Sequence, residues 1–321
     1  MRIFVAGATG AVGQHLVPAL TAAGHSVAGL TRNPSKTDMI KRMGGEAVVA
    51  DALDAEAIDA AFRSFRPEVV IHEMTDLNGM TDFTHFDRGF AATNRLRTEG
   101  TDLLLAAARE AGARRFIAQS FCGWTIARDG GPVKSENDPL DPDPPAEFRR
   151  ALDAIKYLER AVTASPDLEG VVLRYGAFYG PGTGVFEPSM INQIRRRRMP
   201  VVGDGAGWWS FLHVRDAALA TVAAIDRAIA GNIYNVVDDD PVQVKEWLPA
   251  LAEMLGAKPP LHVPAWIGRL LAGEHLVAMM TQVRAGSNAK ARRELGWQPR
   301  HPSWRGGFAD VLRQQQQRSA A

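Results

Sequence analysis

The chain has 321 residues, of which 46% are hydrophobic and 23% are charged, and its formal net charge is +1. It is long enough for one large domain or two closely packed ones, and its composition is that of an ordinary globular protein. The near-zero charge gives no overall attraction to nucleic acid or to anionic membranes. The single cysteine, Cys122, excludes an internal disulfide and a cysteine-based metal cluster. It suits the reducing cytoplasm, where we expect the protein.

The sequence predicts neither a signal peptide nor a membrane span. The N-terminal stretch MRIFVAG has one positive charge and only four apolar residues before the first glycine, which is too short for a signal sequence. Uncharged apolar runs stay well below the roughly 20 residues that a transmembrane helix needs. We therefore interpret the first residues as a β-strand.

Short β-branched runs alternate with segments of helical periodicity through the first half of the chain. The runs are RIFVAG, HSVAGLTR, GEAVVAD, EVVIHE and RRFIAQS, and GVVLRYG (170–176) and NIYNVVD (232–238) follow later. This alternation predicts right-handed βαβ units. The expected fold class is α/β, a doubly wound Rossmann parallel sheet of about seven strands.

The segments between and after the last two strands differ in composition. GPGTGVFEP, RRRRMPVVGDGAGWWS and KPPLHVPAW are rich in glycine, proline and tryptophan, which is typical of loops and short elements that cover a cleft. We predict a cofactor-binding Rossmann domain at 1–179 plus 211–238. A smaller, interleaved C-terminal substrate lobe is predicted at 180–210 plus 239–321.

A glycine-rich loop, GATGAVG at 7–13, directly follows the first strand and opens a helix. Gly7 permits the tight turn, Gly10 lets backbone N–H groups approach a pyrophosphate, and Gly13 allows close packing of helix on strand. The positive end of the helix dipole then faces the phosphates. We expect a dinucleotide here, with Thr9, Ala11 and Val12 of the same loop also in contact.

The end of the second strand indicates which dinucleotide binds. An NAD site places an acid there to accept from the ribose 2′-OH, whereas this strand ends in Leu30, Thr31, Arg32 and Asn33. An arginine suits a 2′-phosphate, so NADP is favoured over NAD, although Arg32 could also be a solvated loop residue. Asp51 and Ala52, after the third strand, are expected near the adenine.

Several further motifs occur in the same order as in one large family. They are VVIHEMTD (69–76), Asn94 in the next helix, RRFIAQSF, LRYGAFYGPG (173–182), FLHVRDAA (211–218) and NAKARRELGWQP (288–299). Together with the glycine loop they resemble the extended short-chain dehydrogenase/reductase superfamily, the NAD-dependent epimerase/dehydratase group, over nearly the whole chain. The resemblance implies a homodimer formed through helices of the sheet. It also implies cofactor contacts from Glu73, Met74, Thr75, Asn94, Gln119, Ser120, Tyr175, Gly176 and Phe178.

The chain departs from this family at the proton-transfer pair. The family's Tyr-x-x-x-Lys motif is usually followed, four residues after the lysine, by a glutamate on the same helix. If Glu159 is that glutamate, Ala151 stands at the tyrosine position and Ile155 at the lysine position. The helical periodicity turns the neighbouring Lys156 and Tyr157 away from the face of Ile155. This resembles the atypical branch of the superfamily.

Other side chains are candidates to replace the missing pair. Ser120 at the end of the fifth strand, Tyr175 after the sixth and Glu73 after the fourth are our catalytic candidates. Tyr179 flanks the same loop as Tyr175 and is a further candidate, although both tyrosines are also good core aromatics. We interpret Cys122 as inert. His72 and Asp76 flank Glu73, and we assign His213 and Asp216 to structure. The spacing of the histidines predicts no metal site.

The clues to the substrate come from a few residues of the late segments. Sugar-nucleotide members of the family usually carry an asparagine where this chain has Ala177, which argues against a sugar nucleotide. The run RRRR at 195–198 is either an anion site or a solvated helix end. The late aromatic residues are either an apolar substrate wall or the core of the lobe, and they are Trp208, Trp209 and Phe211.

The sequence therefore predicts an NADP-dependent oxidoreductase of the atypical class. It would perform carbonyl reduction or a related hydride transfer or isomerisation on a small, partly apolar substrate. Two alternatives stay open: a non-catalytic NADP(H)-sensing protein, or an epimerase or dehydratase that recycles a tightly held cofactor. We expect no nucleic-acid or membrane partner.

Overall fold

A computed structural model describes residues 1–77 and 86–320, except for the side chains of 318–320. The central strands, in chain order, are β1 (Arg2–Ala6), β2 (Ser26–Thr31), β3 (Glu46–Val49), β4 (Val69–His72), β5 (Arg115–Phe121), β6 (Glu169–Tyr175) and β7 (Asn232–Val236). They form one parallel sheet in the order β7-β6-β5-β4-β1-β2-β3. The predicted α/β class with a seven-stranded parallel sheet is confirmed.

The helices before β7 lie between the central strands, and those after it belong to the late part of the chain. Their bounds are α1 (Gly13–Ala22), α2 (Thr37–Arg42), α3 (Ala55–Phe65), α4 (Phe86–Arg95), α5 (Thr101–Glu110), α6 (Arg149–Thr163), α7 (Pro188–Arg195), α8 (Val214–Arg227), α9 (Val244–Met254), α10 (Ala265–Ala272), α11 (Glu274–Thr281), α12 (Ala289–Leu295) and α13 (Trp304–Ala320). A π-helical turn, Leu96–Gly100, joins α4 to α5. Short 3₁₀ turns lie at Pro34–Lys36 and Ala146–Phe148.

Each face of the sheet has its own apolar core. On one face α1 and α8 pack on β-strand residues such as Val5, Ile71 and Leu173. On the other, α3, α5 and α6 pack on residues such as Phe4 and Val70. Strands buried on both faces read as continuous β-branched runs, which is why the sequence revealed them.

A third core lies in the late part of the chain. Most of its buried members, including Phe186, Trp247 and Trp304, come from 180–210 and 239–317, while Tyr179 and Phe211 come from the adjoining segments. Short strands help to build this region: Val133–Lys134, Ala177–Gly180, Thr183–Gly184, Val201–Val202, Trp208–Trp209, Phe211–His213, Val242–Gln243, His262–Val263 and Ala285–Gly286. The predicted domain boundaries remain a prediction. Among the described residues, no helix has both the length and the apolar character needed to cross a bilayer.

A buried ion pair connects α6 to the sheet. Arg174 of β6 donates from Nε and Nη2 to the two carboxylate oxygens of Glu159, at 2.7 and 2.6 Å. Ser120 of β5 donates its hydroxyl to the same carboxylate at 2.7 Å. Both charged side chains are about 95% buried, at 5% and 6% exposure. The bidentate geometry and the serine compensate for removing two charges from water.

Removing one partner of this pair should destabilise the protein strongly. Arg174→Met leaves the Glu159 carboxylate buried with one hydrogen bond, and we expect a loss of about 3–5 kcal/mol in the free energy of unfolding. Chemical denaturation followed by circular dichroism measures the loss. The matched control is Arg95→Met, which breaks the exposed Arg95–Glu99 pair and should cost less than about 1 kcal/mol. A loss below about 1 kcal/mol for Arg174→Met would contradict the assignment.

Candidate active site

A cavity of about 970 Å³ opens at the carboxyl ends of the parallel strands. Its walls are the segments that leave β1, β2, β3, β4, β5 and β6, together with part of α4 and residues from the third core. Ligands of open α/β sheets bind at this edge, because the strand ends and the helix N-termini converge there. Most residues predicted to hold a cofactor line it: Gly7, Thr9, Gly10, Ala11, Val12, Arg32, Asn33, Asp51, Ala52, Glu73, Met74, Thr75, Gln119, Gly176 and Phe178.

The glycine loop has no room for side chains at two positions. Gly7 has a φ of +96°, and a Cβ there would lie 2.7 Å from the backbone carbon and oxygen of Glu73. A Cβ on Gly13 would lie 2.3 Å from the Gly7 carbonyl oxygen. The helix that follows has no side-chain cap, so no side chain competes with an anion for the positive end of its dipole. The loop therefore fits a pyrophosphate.

Basic residues surround the end of β2. Arg32 and Lys36 both line the cavity, and the Arg32 side chain is 68% exposed while it donates to Asp76 at 3.0 Å. Asn33 caps the following 3₁₀ turn by accepting from the Ser35 N–H. Asp51, at the end of β3, accepts from the Leu53 N–H at 3.0 Å. Arg32 is thus neither buried nor locked in place, and it is accessible to a ligand.

Four of the predicted residues lie outside the cavity lining. Ser120 is buried and bonded to Glu159, and Gly13 lies behind the loop. Tyr175 is also buried, and its hydroxyl donates to Glu73 at 2.8 Å and contacts Thr221 at 2.6 Å. Asn94 lies in α4, and its amide oxygen is buried without a hydrogen bond to any described residue. Catalytic roles for Ser120 and Tyr175 remain predictions.

Glu73 is the buried acid of the cavity wall. It is 5% exposed, and burial raises its pKa to about 8, although hydrogen bonds from Tyr175 and Thr221 act in the opposite direction. Its second carboxylate oxygen has no described partner. At neutral pH the side chain is therefore mostly protonated. A neutral carboxylic acid can donate a proton, and Glu73 is one of the residues that line this cavity.

Several other residues considered in the sequence analysis make contacts that define their surroundings. His213 caps α8 by accepting from the Arg215 N–H at 3.1 Å, and Asp216 accepts from the N–H groups of Arg300 and His301. Both are structural, as expected. Burial raises the pKa of Cys122 to about 12, which makes it a poor nucleophile. The described residues contain no cluster of potential metal ligands.

Known proteins share the sequence and the fold of this chain. The model of the "NAD dependent epimerase/dehydratase family" matches residues 3–237. The chain belongs to this family. A protein from a Streptomyces species named "3-diazoavenalumate denitrifying reductase" is 45% identical over 310 residues, covering 96% of this chain and 99% of the relative.

Another relative is less similar in sequence, and two solved structures share the fold. A Stigmatella aurantiaca protein named "4-hydroxy-2-methyl-3-oxo-4-farnesyl-3,4-dihydroquinoline-1-oxide ketoreductase" is 28% identical, covering 98% of this chain and 96% of the relative. The fold matches a Thermotoga maritima UDP-glucose 4-epimerase solved with UDP-glucose, with a TM-score of 0.76, 21% identity and 99% of both chains covered. It also matches the Thermus thermophilus enzyme solved with NAD, with a TM-score of 0.73, 24% identity and coverage of 97% and 98%.

Family membership and these relatives make the chain an NAD(P)-dependent enzyme of the oxidoreductase or epimerase type. The prediction that it is an enzyme acting on a small molecule is thereby confirmed. The cytoplasmic location and the homodimer remain predictions.

Helix α6 contains Ala151 and Ile155, which the sequence analysis predicts at the positions of the family's proton-transfer pair. Ala151 and Ile155 are fully buried on the face that packs against the rest of the protein, as the periodicity predicted. Lys156 is exposed and its Nζ lies 3.4 Å from the Asp141 carbonyl oxygen. Tyr157 donates its hydroxyl to Asp102 of α5 at 2.6–2.8 Å. Neither Lys156 nor Tyr157 lines the cavity.

Aromatic rings form one wall of the cavity. Phe86 and Phe90 stack with their centroids 4.1 Å apart, and Trp124 meets Phe86 edge-on at 5.4 Å. We call these three residues the aromatic wall. The sequence analysis did not predict this wall. Phe90 lies in an ordinary apolar stripe of α4, Phe86 stands at the start of that helix, and Trp124 follows the end of β5, so none of them has a distinctive local pattern.

Only some of the late aromatic and arginine residues named in the sequence analysis line the cavity. Trp209 lines the cavity, but Phe211 is buried in the third core. Of the four arginines at 195–198, only Arg198 is part of the cavity lining.

Arg97 also lines the cavity, and the sequence analysis did not identify it. It is a charged residue at a position where helical spacing from Phe90 and Thr93 predicts an apolar side chain, and this mismatch was its signal.

The raised pKa of Glu73 makes stability depend on pH. Between pH 4.5 and pH 8 the unfolded carboxyl ionises while the folded one stays protonated, so stability falls as pH rises, by up to about 1.4 kcal/mol per pH unit. Glu73→Gln removes this dependence. Relative to wild type, the variant should gain stability as the pH rises from 5 to 8 and no further above it.

Urea denaturation of both proteins at intervals from pH 5 to pH 9 measures this difference. Burial also raises the pKa of Asp238, to about 9, but this group is common to the two proteins and cancels in the comparison. A pH-independent difference between variant and wild type would show that Glu73 is ionised in the folded state.

Proposed function

We propose that the protein is an NADP-dependent reductase that transfers hydride to a carbon that needs no protonation. One observation carries the proposal: among the described residues, the cavity walls contain no tyrosine, and their one lysine, Lys36, lies beside the end of β2. Ala151 and Ile155 stand where the family motif would supply a proton, and both are buried. An electrophile that must be protonated would lose a contribution of about 10²–10⁴ in rate at such a site.

A diazonium carbon is an electrophile that fits this requirement. It accepts hydride, a C–H bond forms, the C–N bond breaks, and its electron pair leaves with N₂, so that no proton enters the balance. NADPH, when bound, supplies the hydride and becomes NADP⁺. The 45% identical relative is named as a denitrifying reductase of a diazo compound, which supports this assignment.

The residues of the cavity have separate roles in this proposal. The loop from Gly7 to Gly13 and the start of α1 hold the pyrophosphate. Arg32, with Lys36 beside it, holds the 2′-phosphate, and Asp51 lies toward the adenine. The aromatic wall of Phe86, Phe90 and Trp124 excludes water from the reacting carbon and stacks on an unsaturated substrate.

The remaining predicted residues have supporting roles. Ser120 positions α6 through Glu159, and Tyr175 holds Glu73 in place. The predicted lobe at 180–210 plus 239–321 contributes the cavity lining from Thr183 to Pro200 and from His275 to Met280. Substrate would therefore contact both parts of the chain.

Carbonyl reduction is the second candidate function, because Glu73 can donate a proton. Its pKa of about 8 keeps it protonated at neutral pH, and its free carboxylate oxygen has no described partner. Relatives named as a ketoreductase and as a 2-alkyl-3-oxoalkanoate reductase favour it. A ketone takes up hydride on carbon and a proton on oxygen, so the two candidates differ in their use of solvent protons.

Isotopes distinguish these functions. With NADPH deuterated at the transferred position and 4-carboxybenzenediazonium as substrate, we expect deuterium on the ring carbon and one N₂ for each NADPH oxidised. The rate should be the same in H₂O and D₂O after subtraction of the reaction without enzyme. A solvent isotope effect and a preference for aromatic ketones would favour carbonyl reduction. Failure to oxidise NADPH with either class would contradict both.

The cofactor assignment depends on Arg32. Arg32→Ala removes a charge-assisted contact to the 2′-phosphate and should weaken NADPH binding about tenfold or more, with little effect on NADH. Isothermal titration calorimetry with both cofactors measures the two affinities. Arg63→Ala, which removes an exposed arginine outside the cavity, is the matched control. Equal losses for NADH and NADPH would assign Arg32 a role other than 2′-phosphate recognition.

A further inference from the structure

Arg97 is a buried cation in the cavity wall. It lies in the π-helical turn between α4 and α5, is 4% exposed, and lines the cavity. Its guanidinium carbon lies 5.9 Å from the centroid of the Phe90 ring. The guanidinium donates no hydrogen bond to any described residue, and its Nη1 atom is fully shielded from solvent. Within residues 1–77 and 86–320, this group therefore has a ring contact but no acceptor.

The surrounding charges do not neutralise Arg97. Burial lowers its pKa to about 10, and the Glu159 carboxylate acts in the opposite direction, so the side chain is charged at neutral pH. That carboxylate already accepts from Arg174 and Ser120. His72 offers no negative charge, and burial together with Arg97 lowers its pKa to about 4. Burying a charge without an acceptor reduces the stability of the fold, and a leucine at this position would pack without that cost.

The other cations of the cavity differ from Arg97. Arg32 and Arg95 have side chains that are 68% and 60% exposed, and each is paired with a carboxylate. They are solvated and lose little when no ligand is bound. Arg97 instead lies beside the aromatic wall, where an apolar ligand body would exclude the remaining water. An anionic acceptor placed there would gain a strong, desolvated pair.

We propose that Arg97 binds a carboxylate of the substrate, whose unsaturated body packs on the aromatic wall of Phe86, Phe90 and Trp124. The planar fork of guanidinium donors matches a carboxylate, and one such group neutralises one buried charge. This proposal rests on the proposed reductase function and specifies its substrate as an unsaturated or aromatic acid. The position of the carboxylate fixes which carbon of the substrate meets the hydride.

Equilibrium binding tests the proposal without any turnover. The probes are trans-cinnamate and cinnamamide, which share their shape and differ in charge, titrated by calorimetry into protein saturated with NADP⁺. Wild type should bind cinnamate about tenfold or more tightly than cinnamamide. Arg97→Gln should remove that preference, and Arg97→Lys should retain part of it. Arg109→Gln, an exposed arginine of α5 outside the cavity, should leave the preference unchanged.

Three outcomes would overturn the proposal. The first is wild type binding the two probes equally, which needs no variant and so does not depend on variant folding. The second is an unchanged cinnamate preference in Arg97→Gln. The third is a loss of about tenfold in NADP⁺ affinity for that variant with the preference intact, which would assign Arg97 to the cofactor. If the protein shows the predicted preference for cinnamate but reduces no diazonium compound, the proposal for Arg97 stands and the proposed reaction is wrong.

Discussion

The close contact between the glycine loop and the end of β4 is the constraint on which the site depends. With a Cβ at Gly7 the loop would collide with the Glu73 backbone at 2.7 Å, so the first turn of the chain and the fourth strand meet only because residue 7 is glycine. This contact places the start of α1 over the same sheet edge that β4 and β5 reach. It also fixes the Glu73 side chain, which extends to Tyr175 and Thr221.

The protein buries charge near this edge in three different ways. Glu159 and Arg174 neutralise one another through two short hydrogen bonds, and Ser120 adds a third. Glu73 instead avoids charge by staying protonated. Arg97 remains charged with no described acceptor. The first solution supports the fold, because both partners come from the chain. The other two leave buried polar atoms without a described partner in residues that line the cavity, and such groups are typical of sites rather than of cores.

The buried face of α6 limits the chemistry that this edge can perform. With alanine and isoleucine at positions 151 and 155, the helix contributes packing but no proton. Rate enhancement must then come from holding the cofactor and the substrate in the correct relative orientation and from excluding water. A hydride transfer to a carbon that carries a good leaving group suits this limit. Reduction of a carbonyl would have to use the neutral Glu73 carboxyl.

The sequence by itself determined the sheet, the glycine loop, the family and the apolar face of α6. These features depend on local periodicity or on glycines at fixed offsets, and such signals are complete within a short window of residues. The same holds for the inert Cys122 and for the structural roles of His213 and Asp216, which follow from their positions at a strand-to-helix step.

Only the tertiary structure decided which side chains share the cavity. Ser120 ends a strand at the correct edge, yet its hydroxyl faces Glu159, because the pleat sends alternate side chains to opposite faces and α6 covers this one. The aromatic wall combines residues 86, 90 and 124, which no sequence window contains together. The sequence analysis did not single out Arg97, and only packing showed it buried at 4% exposure with no acceptor among the described residues. The burial of a side chain and the identity of its hydrogen-bond partners depend on contacts between distant segments. A single sequence does not encode these contacts in any local pattern.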